Sequence, residues 1–262
     1  MIPLRDQEVI RQRFEQELTG RVRIDYFSQR QSKIIVPGRQ ECVHCEDVRT
    51  MLDEISHLSP RISLSVHELA DEPRVAAELG VDKVPGIVVR GQANRPVRFA
   101  GIPAGSQFPD FIDTIIEASR GSADLKPETL RQLKKLKDEV TLQVFVVPGC
   151  PHSPAVAHLA FKLGLQSPHV KAEVIEVTEF PSLAERLGLR ATPTTLIDQR
   201  LLIPGALDEA TMLHAIFKAV DGKPIAANEF KPGPATPLQL VSQEQASQSR
   251  PATTASGLIL PR

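Results

Sequence analysis

The chain has 262 residues, enough for two domains that each bury a core of their own. Lysine and arginine number 31 against 32 acids, a balance that gives no net field to draw nucleic acid or an anionic membrane surface. Three cysteines are too few, and odd in number, for a secreted disulfide framework, and no stretch reaches the roughly 18 apolar residues of a membrane span. The opening Met1-Ile2-Pro3-Leu4-Arg5-Asp6 runs into a charged helical segment instead of an export signal, so a cytoplasmic location is expected.

Along the chain, Val9, Ile10, Phe14 and Leu18 share one helical face, with Gly20 as a stop. Alternation of Val22, Ile24 and Tyr26 predicts a strand over 21–27, and 33–36 adds a short apolar run before Pro37-Gly38. Helices are predicted over 45–58, 71–79 and 108–119, and strands over 62–69, 87–89 and 97–100. The order then recurs: helix 128–139, strand 142–147, helix 155–163, strand 172–177, helix 182–187, strands 194–197 and 200–203, and helix 209–220. Strands alternating with helices and closing in a hairpin define an α/β class, two tandem units each with a central mixed sheet flanked by helices. The units are expected over 1–121 and 122–222, in contact across a short connector. Residues 223–262, rich in Pro, Gln, Ser, Thr and Ala, are expected to be a disordered tail, with Leu258-Ile259-Leu260 as a candidate docking patch.

The two units echo each other at a fixed shift. Cys42-Val43-His44-Cys45 is answered 108 residues later by Cys150-Pro151-His152-Ser153, Leu79-Gly80 by Leu187-Gly188, and Val84-Pro85 by Thr192-Pro193. Each leading cysteine therefore stands 43 residues before a proline. The second unit differs in one chemical respect: Ser153 replaces the second cysteine.

Thiol–disulfide exchange needs one cysteine available as a thiolate and a second near enough to resolve the mixed disulfide, and a two-residue spacer supplies that nearness. A cysteine at a helix start gains from unpaired N–H groups and the helix dipole, which favour the thiolate. Cys42 is thus the expected nucleophile and Cys45 the resolver. His44, with its counterpart His152, is expected to tune the site, while Glu41, Glu46 and Asp47 oppose a thiolate. Half of a zinc site or two inert buried thiols are the competing readings of Cys42 and Cys45, although structural zinc usually takes four ligands. Cys150, without a resolver, fits a mixed disulfide with glutathione, an electron relay, a share in an iron-sulfur cluster, or a packed relic. His57, His67, His158, His169 and His214 show no ligand spacing and read as surface or core histidines.

The pattern of strand, Cys-x-x-Cys, helix, and a later apolar residue with proline resembles the thioredoxin and glutaredoxin superfamily, over about residues 5–221. The tandem plan is similar to the protein disulfide oxidoreductases and to the N-terminal domain of alkyl hydroperoxide reductase flavoproteins. The resemblance implies that Pro85 and Pro193 are cis and face Cys42–Cys45 and Cys150. It also implies that Val84 and Thr192, each before its proline, pair their backbones with an extended substrate. Protein disulfides would be the substrates, exchanged through the first unit, with a flavoprotein disulfide reductase or glutathione as electron donor. A redox-active Cys42–Cys45 disulfide would serve with no separate cofactor, apart from glutathione. The absence of tryptophan removes the Trp-Cys-Gly-Pro-Cys of thioredoxin proper.

Overall fold

The computed structural model describes residues 2–30, 42–222 and 229–238. The first unit runs α1 (Leu4–Glu17), β1 (Val22–Ser28), α2 (Cys45–His57), β2 (Ile62–Glu68), α3 (Pro73–Leu79), β3 (Gly86–Arg90), β4 (Val97–Ala100) and α4 (Gln107–Arg120). The second runs α5 (Pro127–Leu133), β5 (Val140–Val146), α6 (Ser153–Gln166), β6 (Val170–Glu176), a 3-10 turn at Val177–Glu179 and α7 (Pro181–Arg186). It continues with β7 (Ala191–Thr192), β8 (Thr194–Ile197), β9 (Leu201–Pro204), α8 (Glu209–Asp221) and finally β10 (Thr236–Pro237). In each unit the first two strands are parallel and the hairpin is antiparallel, giving β2-β1-β3-β4 and β6-β5-β8-β9.

The two halves form one eight-stranded sheet, because β4 pairs in parallel with β6, Arg98 opposite Glu173 and Ala100 opposite Ile175. The edge strand that closes one unit therefore meets the edge strand that opens the next, in a head-to-tail arrangement. Side chains from both units share one apolar core, from Phe14, Ile24 and Ile115 to Val144, Leu163 and Ile216. At the seam the Lys83 ammonium meets the Glu173 carboxylate at 3.0 Å, and Gln143 Nε2 donates to the same carboxylate at 2.7 Å. Both charges are mostly buried, and each keeps a second partner, Asp82 Oδ1 at 2.5 Å for Lys83 and the Gln143 amide for Glu173.

Most elements lie within two residues of their expected places, with exceptions. The helix expected over 128–139 ends at Leu133, because the chain must extend to enter β5 at Val140 while Leu136 turns into the core. The run at 33–36 and the Leu258-Ile259-Leu260 patch lie outside the described residues. For 229–238 the expectation of disorder is corrected: this stretch lies along the second unit, and β10 pairs antiparallel with β7. Composition took proline as a sign of disorder, whereas Pro232, Pro234 and Pro237 restrict the chain to extended backbone before it docks. Among the described residues no helix is long and apolar enough to cross a membrane.

The repeat shift also splits. Paired residues Val22 and Ile62 in the first unit correspond to Val140 and Val170 in the second, a shift of 118 for the first strands and 108 for the next. Ten additional residues therefore stand between β1 and Cys42.

Helix α6 crosses the seam at Gly164, where a Cβ would lie 2.8 Å from Ala172 Cβ on β6 and 3.0 Å from Val97 Cγ1 on β4. Alanine normally favours a helix interior by about 0.5–1 kcal/mol over glycine, but overpacking costs about 1–3 kcal/mol. Gly164→Ala is thus expected to lower stability in urea unfolding, against its helix propensity.

Candidate functional site

Cys42 and Cys45 are bonded, with an S–S distance of 2.00 Å, and α2 begins at Cys45 itself. Cys45 is buried and Cys42 is 9 % exposed, while Val43 between them is 69 % exposed. The site therefore offers solvent an apolar side chain beside its outer sulfur. Val48, Met51, Leu52 and Ile55 anchor α2 in the core, on the one-sided spacing that fixes how its N-terminus points. Tyr26, the chain's single tyrosine, reaches up from β1 and donates its hydroxyl to the Cys45 carbonyl at 2.6 Å. Burial pushes the Tyr26 phenol well above its usual pKa, so it remains a donor. His44 stands immediately before α2 and contacts Asp47 at 3.1 Å.

Both Val84–Pro85 and Thr192–Pro193 are cis. The Pro85 carbonyl accepts from Gly101 N–H at 2.8 Å, and the Pro193 carbonyl from Gly205 N–H at 2.8 Å, so the two units fix this loop in the same way. Lys83, one residue before Val84, is the seam lysine, which ties the loop to the second unit.

The first site is completed from the second unit. Glu176 at the end of β6 and Glu179 in the turn after it lie close enough to His44 to feel its charge. Ile102 N–H donates to Glu179 Oε1 at 2.5 Å, and Glu176 accepts from the Thr178 N–H and hydroxyl at 3.1 and 2.8 Å. Gly101, at φ +102°, makes this approach feasible, since a Cβ there would sit 2.8 Å from Glu176 Cβ and 2.9 Å from Glu179 Oε1. Burial raises both carboxyls, opposed by His44 at Glu179, which is brought to about 7.

The second site is closed. Cys150 has no solvent exposure, and its Sγ donates to the Thr192 carbonyl at 3.2 Å. Burial opposes ionisation of this thiol. The side chains of Ser153, Thr236 and Thr192 and the His152 backbone favour the thiolate, and the net direction is below the ordinary thiol value. The Cys150 sulfur is thus covered by the described residues around it.

A family model described as "Thioredoxin domain" matches residues 140–218. In solved structures, the chain is similar to the N-terminal domain of alkyl hydroperoxide reductase from Enterococcus faecalis. That match has a TM-score of 0.72 at 21 % identity, over 82 % of this chain and 100 % of that one. A protein disulfide oxidoreductase from Aeropyrum pernix superposes with a TM-score of 0.74 at 23 % identity, covering 86 % and 96 %. The chain has the thioredoxin-superfamily fold. Among curated proteins, an alkyl hydroperoxide reductase polypeptide of Staphylococcus aureus is 24 % identical over 186 residues, and an NADH dehydrogenase of Bacillus subtilis 21 % over 184. The chain spans about a third of the length of these relatives, 33 % and 34 %, and 71 % and 70 % of its own length is matched.

In this thioredoxin-fold pair the structure brings Cys42, Cys45 and His44 together in the first unit and Cys150, Thr192 and Pro193 in the second. The expected tuner His152 stands immediately before α6 and acts on Cys150 through its backbone. Four of the five histidines without ligand spacing lie in ion pairs, His57 with Asp53 and His214 with Glu229 each at 3.7 Å. His67 lies between Asp25 and Glu72 at 3.2 and 2.8 Å, and His158 meets Glu117 at 3.0 Å. Tyr26, Gly101, Glu176 and Glu179 are not singled out by the sequence pattern. A signal existed: Glu68 and Asp71 stand 108 residues before Glu176 and Glu179, a repeated acid pair after the second strand of each unit.

Because the folded carboxyl of Glu179 titrates near 7 against an ordinary 4.5, the native chain holds a proton that the unfolded chain has lost between those values. Stability therefore falls as pH rises through that window, and the cost is complete above it. Glu179→Gln is expected to lose less stability than the parent between pH 5 and pH 8, measured by urea unfolding at each pH.

Proposed function

We propose that the chain is a thiol–disulfide oxidoreductase that exchanges disulfides with protein substrates through Cys42 and Cys45. The observation that carries this reading is the bonded pair at the start of α2, with exposed Val43 between its cysteines. In the reduced form the Cys42 thiolate attacks a substrate disulfide, one substrate thiolate leaves, and a mixed disulfide forms. Cys45 then attacks Cys42, re-forming the Cys42–Cys45 bond and releasing the second substrate thiol. Two electrons and two protons pass to the substrate.

Val84 offers backbone to an extended substrate segment, and among the described residues no strand pairs with Lys83–Val84. Return to the dithiol takes two electrons from a flavoprotein disulfide reductase or from glutathione. The similarity to alkyl hydroperoxide reductase supports the former. A reducing cytoplasm is the setting in which such a dithiol would be regenerated.

The test is insulin-disulfide reduction with a thiol reductant. Cys42→Ser is expected to fall to the uncatalysed background, and Cys45→Ser to accumulate a mixed disulfide with substrate through Cys42, seen by mass spectrometry without reduction. Full activity in Cys42→Ser would overturn the proposal.

A further inference from the structure

The two sites differ in what covers them. Gly101 and Gly205 hold equivalent places, each donating to the cis proline carbonyl of its own unit. In the first unit the next N–H, of Ile102, is taken by Glu179 of the following unit. In the second unit the next N–H, of Ala206, is taken by the Pro234 carbonyl at 3.1 Å, and Gly233 N–H donates back to the Ala206 carbonyl at 2.7 Å. The steric requirement is repeated: a Cβ on Gly205 would lie 2.6 Å from the Gly233 carbonyl oxygen and 2.9 Å from Pro232 Cβ. Head-to-tail pairing gives the first unit a neighbour on this side, and no third unit follows the second among the described residues. Residues 232–234 fill the place that the Glu176–Glu179 corner fills for the first site.

From there the segment runs onto the edge beside the second cysteine. Thr236 lies opposite Thr192 and Pro237 opposite Ala191, and Leu238 N–H donates to the Arg190 carbonyl at 2.8 Å. Leu238 packs on the cluster holding Phe145, Val177 and Leu189. Upstream, Phe230 packs on the main core and against the His214 ring, and Glu229 meets Lys218 at 2.6 Å. Thr192 is the residue before the cis proline, so Thr236 occupies the position that an extended substrate would take.

We propose that residues 229–238 are a resident peptide of the second unit, bound in its substrate groove in the manner of an extended proline-bearing substrate and keeping Cys150 out of thiol exchange. The sequence suits the role. Pro232, Pro234 and Pro237 hold the segment extended at low entropic cost, and Gly233 and Leu238 keep the N–H groups that bond the groove. Seven residues, 222–228, separate it from the end of α8, a covalent link that gives an effective concentration of order mM. The resident segment also changes the chemistry of the site. Where the first unit receives a titratable carboxylate, the second receives a neutral peptide carbonyl, and its thiol has no resolving partner.

The experiment uses the full chain with Cys42–Cys45 oxidised, in which Cys150 is the free cysteine. Alkylation of Cys150 by N-ethylmaleimide is followed by mass spectrometry in the parent and in Leu238→Pro, which removes the N–H that bonds the Arg190 carbonyl while keeping the Phe230 anchor and the Thr236 hydroxyl beside Cys150. Labelling is expected to be at least about tenfold faster in the variant, since exposure follows local opening of the segment. A synthetic peptide of residues 229–238 added at mM concentration is expected to slow it again, and a scrambled peptide is not. Equal rates in parent and variant would overturn the proposal, as would faster labelling that the native peptide reverses no better than the scrambled one. Because the readout is Cys150 alone, it is independent of whether the first unit reduces insulin.

Discussion

Three residue pairs, Arg98 with Glu173, Phe99 with Val174 and Ala100 with Ile175, join the last strand of one unit to an edge strand of the next. Much of the rest follows from this short parallel ladder. It fuses two four-stranded sheets into one and brings α4 and α6 together across the join, where His158 and Lys162 of α6 meet Glu117 of α4. It also carries the end of β6 to Gly101 and Ile102 of the first unit, within electrostatic reach of His44. A ladder made by dissimilar edges has a direction, and that direction makes the two sites unequal even though the units are copies.

The inequality appears in the electrostatics. The first site has an exposed valine between its two cysteines, a buried carboxyl at Glu176 and a half-buried one at Glu179, both raised by desolvation. The second has a thiol with no exposed surface, encircled by hydroxyl and backbone groups, with a strand laid over the loop that would meet substrate. Replacement of the resolving cysteine by Ser153 belongs to the same pattern. A single thiol cannot form an internal disulfide with Ser153, and this one is also covered.

Much of this was legible in the sequence because it is local. Alternation in Val22, Ile24 and Tyr26, the helical spacing of Val48, Leu52 and Ile55, and the shared interval from cysteine to proline each encode a short-range structure, and all reappear in place. What was not legible depends on which edges meet. No periodicity in residues 97–100 or 170–176 says that these strands pair with each other, so the presence of Glu179 at the first site could not be read from its own unit. The docking of 229–238 was hidden for a different reason. Its affinity rests on backbone hydrogen bonds and proline stiffness, and a count of apolar side chains records neither. The ten added residues before Cys42 become visible only when strand register separates a shift of 118 from one of 108.

Directional pairing has one further consequence. A sheet in which the closing edge of each unit accepts the opening edge of the next has no internal reason to stop at two, as in repeat arrays that require terminal caps for solubility. The two outer edges here are protected by composition. β2 places Ser63, Ser65 and His67 along its length, and β9 is only four residues long and ends at Pro204, which cannot donate to a further ladder. The turn after β9, where another unit would have brought its acidic corner, is held by Pro232 and Gly233. Both outer edges thus carry features that weaken further strand pairing among the described residues, and the segment 232–233 adds to them beside β9.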